Sequence, residues 1–444
     1  MKARITAFTM EYDNIKESQR LSDIINSGTL SESQKESDIN DFIKQSFEIF
    51  SGKNAGICYM GGNYDKLDSE SDKKTIKRFE NTINNTHHSI SDHCNITVVF
   101  ENVPKFLAMI LNSLQVYATS EKSARYTIMK NLSRREQELY DKWVVKIKDL
   151  LISQYEVDEK DAIKLAQENA RYFISIFSPA TTFAYTTSLR QWNYIHNWFD
   201  NYIKVVDNIK YGNNKKLCIK TAEMFKEFNE WFETSAIYNP IIKEPKNRII
   251  DFIAPLYPNI ESPVYLNRQQ YSDSYAISYM VSMTALAQLQ RHRSIKYTIN
   301  LFRLYSSGEP VVFYVPKMFI DDLNLIAEWN NDMHSVKDLF PQGMMVEVEE
   351  QGTIDKFLLK CDERLCGRVQ YETAQCCKRE LMLFVKNREN LSPYFADKVN
   401  AWVDEKDEEN EFYMKRIRAK CEMRGGCADN GCIHGPLGAL DRRF

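Results

Sequence analysis

The chain repeats its own order of segments, and an internal repeat constrains a fold more tightly than composition does. The stretch NSLQVYATSEKSARYT, ending at Thr127, lies over LQRHRSIKYTINLFRLY, so that Arg125 falls on Arg303. A strand-like run precedes each copy. Asn95–Val103 carries ITVVF in its middle, rich in the β-branched residues that suit a pleated surface. SYAISYMV takes the same place in the second half. Pro104, suited to a first helical turn, opens the helix FLAMILNSLQVYA. The second strand runs into a helix ending at Arg293, and a Pro-punctuated connector, Pro240 to Pro263, parts the halves.

Other segments fill in this outline. Residues 1–55 carry helical spacing with polar faces, and YDKLDSESDKKTIK, from Tyr64 to Lys77, reads as a polar stretch that tolerates disorder. Helical segments run from Ser133 to about Ala170, from about Arg190 to Ile209, through KTAEMFKEFNEWF, and through CDERLCGRVQYETAQCCKREL. The expected division is residues 1–235, residues 236–403, and a charged, Cys-rich segment over 404–444. A chain of 444 residues is long enough for two or three cores. Its net charge of −3 asks for neither nucleic acid nor an acidic membrane surface. No apolar run approaches the roughly 20 residues of a membrane span, and the first residues lack the apolar stretch of an export signal. The expected location is cytoplasmic, where the ten Cys stay reduced or hold a metal.

The densest cationic feature is Arg291-His292-Arg293, at a helix end where positive charge complements the helix dipole. Arginine forks bind phosphate or carboxylate and stack on aromatic rings. Alone, such a triplet is a solvated basic helix end. With Gln288 before it, however, it resembles the RHR signature of the flavin-dependent thymidylate synthases, the thymidylate synthase complementing family. There the triplet contacts the flavin and the preceding Gln faces the nucleotide. The family motif continues as Glu-x-Ser-x-Arg-Tyr. The second half keeps only Arg303 of it, with Ile299, Leu301 and Leu304 at the other places. The first half has it whole, in Glu121, Ser123, Arg125 and Tyr126, but carries Ser113, Leu114 and Gln115 where the triplet would stand.

Further resemblances follow the same division. His87-His88-Ser89-Ile90-Ser91-Asp92-His93 is similar to the family's H-x-S/T-x-x-E-H motif against the cofactor, with Asp92 in place of Glu. Three His together also suit a metal. Asn169-Ala170-Arg171 and Ser188-Leu189-Arg190-Gln191-Trp192 resemble the segments whose first Arg reaches the nucleotide and whose second lies near the flavin. Arg364, Gln370 and Glu372 resemble the helix whose Arg polarises the pyrimidine. The resemblance implies an α/β (α+β) fold, with an antiparallel sheet and packed helices in each of two tandem domains.

It also implies FAD, with NADPH and methylenetetrahydrofolate as co-substrates, and C5 methylation of a pyrimidine deoxynucleotide, dUMP to dTMP. Arg364 and Gln288 would be catalytic. Glu121, Ser123, Arg125, Arg171 and Arg303 would bind substrate. His87, Ser89, Asp92, Arg190, Arg291, His292 and Arg293 would bind the flavin. Since the family builds each site from several subunits, a homodimer forming a pseudo-tetramer is expected. Two alternatives stand beside this: hydroxymethylation of dUMP or dCMP for modified DNA precursors, and a non-catalytic nucleotide-binding scaffold. Near the C-terminus, Cys421, Cys427, Cys432 and His434 offer four S/N ligands for a structural zinc, or are free thiols.

Overall fold

The structure is a computed structural model describing residues 1–10, 15–114, 116–124, 127–207, 215–244, 253, 264–265, 274–299, 311–366, 368–400, 403–406, 412–414 and 444. Its first half runs β1 (Lys2–Phe8), α1 (Ile15–Asn26), α2 (Glu32–Ile57), α3 (Asp65–Asp68), α4 (Asp72–Asn84), β2 (Asn95–Val103), α5 (Lys105–Asn112), β3 (Ala118–Glu121), α6 (Arg134–Tyr155), α7 (Glu159–Ala170), β4 (Thr181–Ser188), α8 (Leu189–Asp207) and α9 (Lys215–Glu233). The second runs β5 (Val264–Tyr265), β6 (Ser274–Ser282), α10 (Met283–Leu289), β7 (Lys296–Ile299), α11 (Leu323–Ser335), β8 (Met345–Thr353), α12 (Ile354–Arg364), α13 (Tyr371–Lys386) and α14 (Pro393–Asn400). A short pair, β9 (Val403–Lys406) and β10 (Phe412–Met414), follows. Among the described residues, no helix is long and apolar enough to cross a membrane.

Each half builds a four-stranded antiparallel sheet, ordered β1-β2-β4-β3 in the first and β5-β6-β8-β7 in the second. Strand for strand, the order is the same. The register agrees as well. Thr119 faces Tyr185 and Glu121 faces Phe183; Tyr297 faces Glu350 and Ile299 faces Val348. Alternation in β2 sends Ile96, Val98 and Phe100 into the core. A register shift between Glu101 and Val103, with Asn102 at φ 53°, then turns Val103 inward. That bulge aims the chain at Pro104 and the start of α5.

Several segments differ from the sequence reading. Residues 2–8 form an edge strand against β2 rather than a helix. The polar stretch from Tyr64 folds into α3 and α4, because Thr75, Phe79 and Ile83 fall on one face of α4 and are buried. The helix after Pro104 ends at Asn112, and the helix over 361–381 is two helices, with Leu365–Gln370 between them.

The halves meet along a seam of equivalent loops. Ser175 bridges Pro341 in antiparallel fashion. Ile176 N–H donates to Phe340 O at 3.0 Å, and Gln342 N–H to Ile174 O at 2.8 Å. Gly343 lies so close that a Cβ would sit 3.1 Å from the Tyr172 Cβ, which explains the glycine. Trp329 packs on Trp143 and Phe173 with ring centroids 4.8 and 4.6 Å apart, and the Trp143 indole N–H donates to Asp332 at 2.9 Å. The core is continuous across both halves.

Under the second sheet lies a buried ionic cluster. Lys360 Nζ donates to both Glu350 oxygens, at 2.6 and 2.8 Å, and to Glu380. Tyr275 and Tyr279 each donate to Glu350 at 2.6 Å. Lys360 and Glu350 have no exposed surface. Burial, then the neighbouring Glu350, pushes the Glu380 carboxyl up to about 7. The matching register place of Glu350 in the first half is Tyr185. Counting equally from the starts of α8 and α12 sets Ile195 against Lys360. Both first-half residues are buried in an apolar core.

Candidate functional site

Along the seam opens a cavity of about 360 Å³, toward the lower end of the range for small-molecule sites, roughly 300–1,000 Å³. Six cationic side chains line it: Lys105, Lys122, Arg171, Arg291, Arg364 and Arg368. Only Glu121 and Glu168 oppose them, so the wall favours an anion. Each charged group is delivered by the end of an element. Glu121 closes β3, and Ser123 lies just beyond it. Arg171 and Arg364 stand at the C-terminal ends of α7 and α12, where helix dipoles welcome a cation. The capping box of α6 holds the loop below. Glu136 satisfies the Ser133 N–H at 2.8 Å, and its other oxygen takes the Ser175 N–H at 2.8 Å and the Ser178 hydroxyl at 2.5 Å.

Two networks tie the halves together at the wall. Glu121 Oε1 accepts from Lys105 Nζ at 2.6 Å and from Thr181 at 3.0 Å, and Arg291 of the second half stands 3.7 Å from its Oε2. Gln370 Oε1 accepts from Arg171 and, at 2.5 Å, from Gln288, while Gln370 Nε2 donates to Tyr172 at 2.5 Å. The Tyr172 hydroxyl donates to Glu372 at 2.8 Å, and Glu372 accepts the Ser282 N–H at 2.7 Å at the start of α10. Arg291 Nη1 and Arg364 Nε are buried donors with no hydrogen-bond partner; donors so placed suit an acceptor-rich ligand.

The expected site residues do not all fall in one place. Glu121, Ser123 and Arg171 from the first half and Gln288, Arg291 and Arg364 from the second share this cavity. His292 is buried beside it, and its Nε2 has no hydrogen-bond partner. Arg293 turns away, donating to the Tyr117 carbonyl at 2.5 Å with its guanidinium 5.0 Å from that ring; it fastens α10 to the first half. His87, Ser89, Asp92 and Arg190 gather at the far end of β4 from Thr181, about 23 Å along the strand. There Arg190 Nε donates to Asp92 at 3.0 Å, Ser188 donates to Asp92 at 2.9 Å, and His88 Nδ1 lies 3.1 Å from Tyr194 OH. Arg125, Arg303, Cys421, Cys427, Cys432 and His434 lie outside the described residues.

Among the described residues, no group of three or more His, Cys, Asp or Glu is placed to hold a metal ion. Burial pushes the Cys361 and Cys376 thiols well up, which marks them as inert core residues. Burial, then Arg364 and Lys360, pulls His292 down to about 3, so its imidazole is neutral at physiological pH. A folded pKa below the ordinary 6.5 gives stability that is present above 6.5 and lost as pH falls. His292→Gln is expected to lessen the drop in melting temperature between about pH 7 and pH 5; an unchanged drop would refute this assignment.

Residues 42–199 match the family model described as Thymidylate synthase complementing protein. This stretch of the chain is similar to that family. The match covers Glu121, Ser123, Arg171 and the Asp92–Arg190 cluster. No curated protein matches the chain. Solved structures similar to it include a UMP/dUMP methylase, PolB from Streptomyces cacaoi, bound with 5-Br dUMP. That likeness has 11% identity, 44% of this chain and 76% of that chain covered, and a TM-score of 0.28. Another is Thymidylate Synthase X from Helicobacter pylori with FAD and dUMP, at 12% identity, 54% and 100% coverage, and a TM-score of 0.27.

The matched segment ends before the second half begins, yet seven of the nineteen residues lining the cavity come from beyond it. Lys105, Glu168, Gln342 and Arg368 were not foreseen from the sequence. One of them had left a signal: Lys105 puts a cation at a helix N-terminus, where the dipole disfavours it.

Proposed function

We propose that this chain is a flavin-dependent enzyme that methylates C5 of dUMP with methylenetetrahydrofolate as carbon donor and NADPH as reductant. The observation that carries the reading is the shared cavity: the complementary halves of one motif, split between Glu121 and Ser123 on one side and Gln288, Arg291 and Arg364 on the other, line the same space. We read the chain as two fused family-like units, 1–235 and 236–403, that have divided the work. Ser123 and Arg171 hold the phosphate, with Arg125 joining them, and Glu121 accepts from the sugar or base. Arg364 polarises the pyrimidine carbonyl side as charge develops there.

FAD, when bound, carries reducing equivalents to the one-carbon unit. In one chain its proposed partners are split between Arg291 at the cavity and the Asp92–Arg190 cluster at the other end of β4, so a flavin site of this composition takes surfaces from two chains. That division supports a homodimer. Arg190 and His87 would then face the flavin from a second copy.

The test is the product. Purified protein reconstituted with FAD, then given dUMP, NADPH and methylenetetrahydrofolate, is expected to yield a 5-methylated nucleotide by mass spectrometry. A 5-hydroxymethyl product from dUMP or dCMP would move the reading to the sister reaction. A colourless protein that cannot be loaded with flavin and modifies neither nucleotide would leave a scaffold.

A further inference from the structure

We propose that Lys105 is an anion-binding residue of the cavity, taking the nucleotide phosphate together with Ser123 and Arg171. The inference rests on the nucleotide reading above and adds a group that the motifs do not contain. Lys105 opens α5 directly after Pro104, against the helix dipole, so its place is not explained by the helix it starts. Its ammonium has three donors, and one goes to Glu121 at 2.6 Å. Glu121 is shared: Arg291 stands 3.7 Å from its second oxygen. Burial opposes the Lys105 charge most, Glu121 supports it, and Arg171 and Arg291 are near enough to oppose it as well. Two carboxylates, Glu121 and Glu168, face the six cations of the wall, which leaves positive charge uncompensated, and a phosphate completes the balance with charge-assisted bonds.

The second half supplies the control. Its sheet has the same order and register, and α10 begins with Met283 where α5 begins with Lys105. Ile299 takes the register place of Glu121. Met283 and Ile299 are both fully buried. The fold therefore accepts an apolar pair at these two positions, and apolar pairs generally match or exceed buried ion pairs in stability. The ionic pair stands only where it faces the cavity.

The competing view is that Lys105 only holds Glu121 in place. Calorimetric titration of wild type and Lys105→Met with dUMP and with deoxyuridine separates the two. Loss of one charge-assisted bond is expected to weaken dUMP binding about tenfold or more and deoxyuridine binding less than about twofold, with Lys105→Arg recovering most of the dUMP loss. Equal losses for both ligands, or none for either, overturn the proposal. If Lys105→Met does not fold, by thermal unfolding, Lys105→Gln takes its place. A parallel arm uses inorganic phosphate and reads the melting temperature. If wild type binds neither nucleoside ligand but gains stability from phosphate only with Lys105 present, the nucleotide reading falls and the anion site stands. If the phosphate response is also absent, both fall.

Discussion

Arg364→Gln is expected to slow turnover by about 10²–10³-fold while leaving dUMP affinity nearly unchanged, the loss typical of one preorganised donor to developing charge. Arg364 ends α12 with its side chain mostly buried and its Nε unpaired. Burial lowers its proton affinity, and the nearest acid, Glu363, is 4.0 Å away. A weakly compensated guanidinium in a low-dielectric wall acts strongly on any charge forming beside it. The measurement is a single-turnover rate beside a dUMP titration. A large loss of affinity with an unchanged rate would place Arg364 in ground-state binding and defeat its assigned role. Arg364→Lys would not serve as rescue, because the planar fork is what the site offers.

The second large effect concerns folding. Lys360→Met leaves Glu350 and Glu380 buried without their countercharge, and breaking a buried pair in this way costs about 3–5 kcal/mol. Denaturant unfolding at about pH 8, above the raised Glu380 value of about 7, should show the full loss. At about pH 5 the penalty should shrink, since a carboxyl whose folded pKa lies above its unfolded one gains stability as protons bind. Glu380, raised to about 7, has that sign. Adding Glu350→Gln and Glu380→Gln should recover much of the stability at pH 8. A single variant as stable as wild type at both pH values would mean that the cluster contributes nothing.

The strands β2 and β6 and the helices that follow them were legible because each rests on local pattern. The Arg125–Arg303 alignment sets Glu121 against Ile299, and the strand registers repeat that pairing independently. What pattern could not give was contact between the halves. The Gln370 bridge from Arg171 to Gln288 depends on the seam at Ser175 and Pro341, whose partners are far apart in sequence. The role of Arg293 was hidden for the same reason, since its partner is the backbone carbonyl of Tyr117. The edge strand at Lys2–Phe8 is short and half-exposed, so its alternation carried little weight. In the polar stretch after Tyr64, three anchors at helical spacing suffice to fold α4, and charge between them obscured the stripe.

The pseudo-symmetric seam also changes how this protein can vary. In an assembly of identical chains, a single codon change is written into every site at once and must suit all the roles that residue plays. Here Lys105 and Met283, or Glu121 and Ile299, occupy matching places yet are inherited as separate letters. One half is free to drift toward packing while the other keeps its charge. The cavity that results belongs to the pair of halves, and no single half can be moved to another protein and carry it.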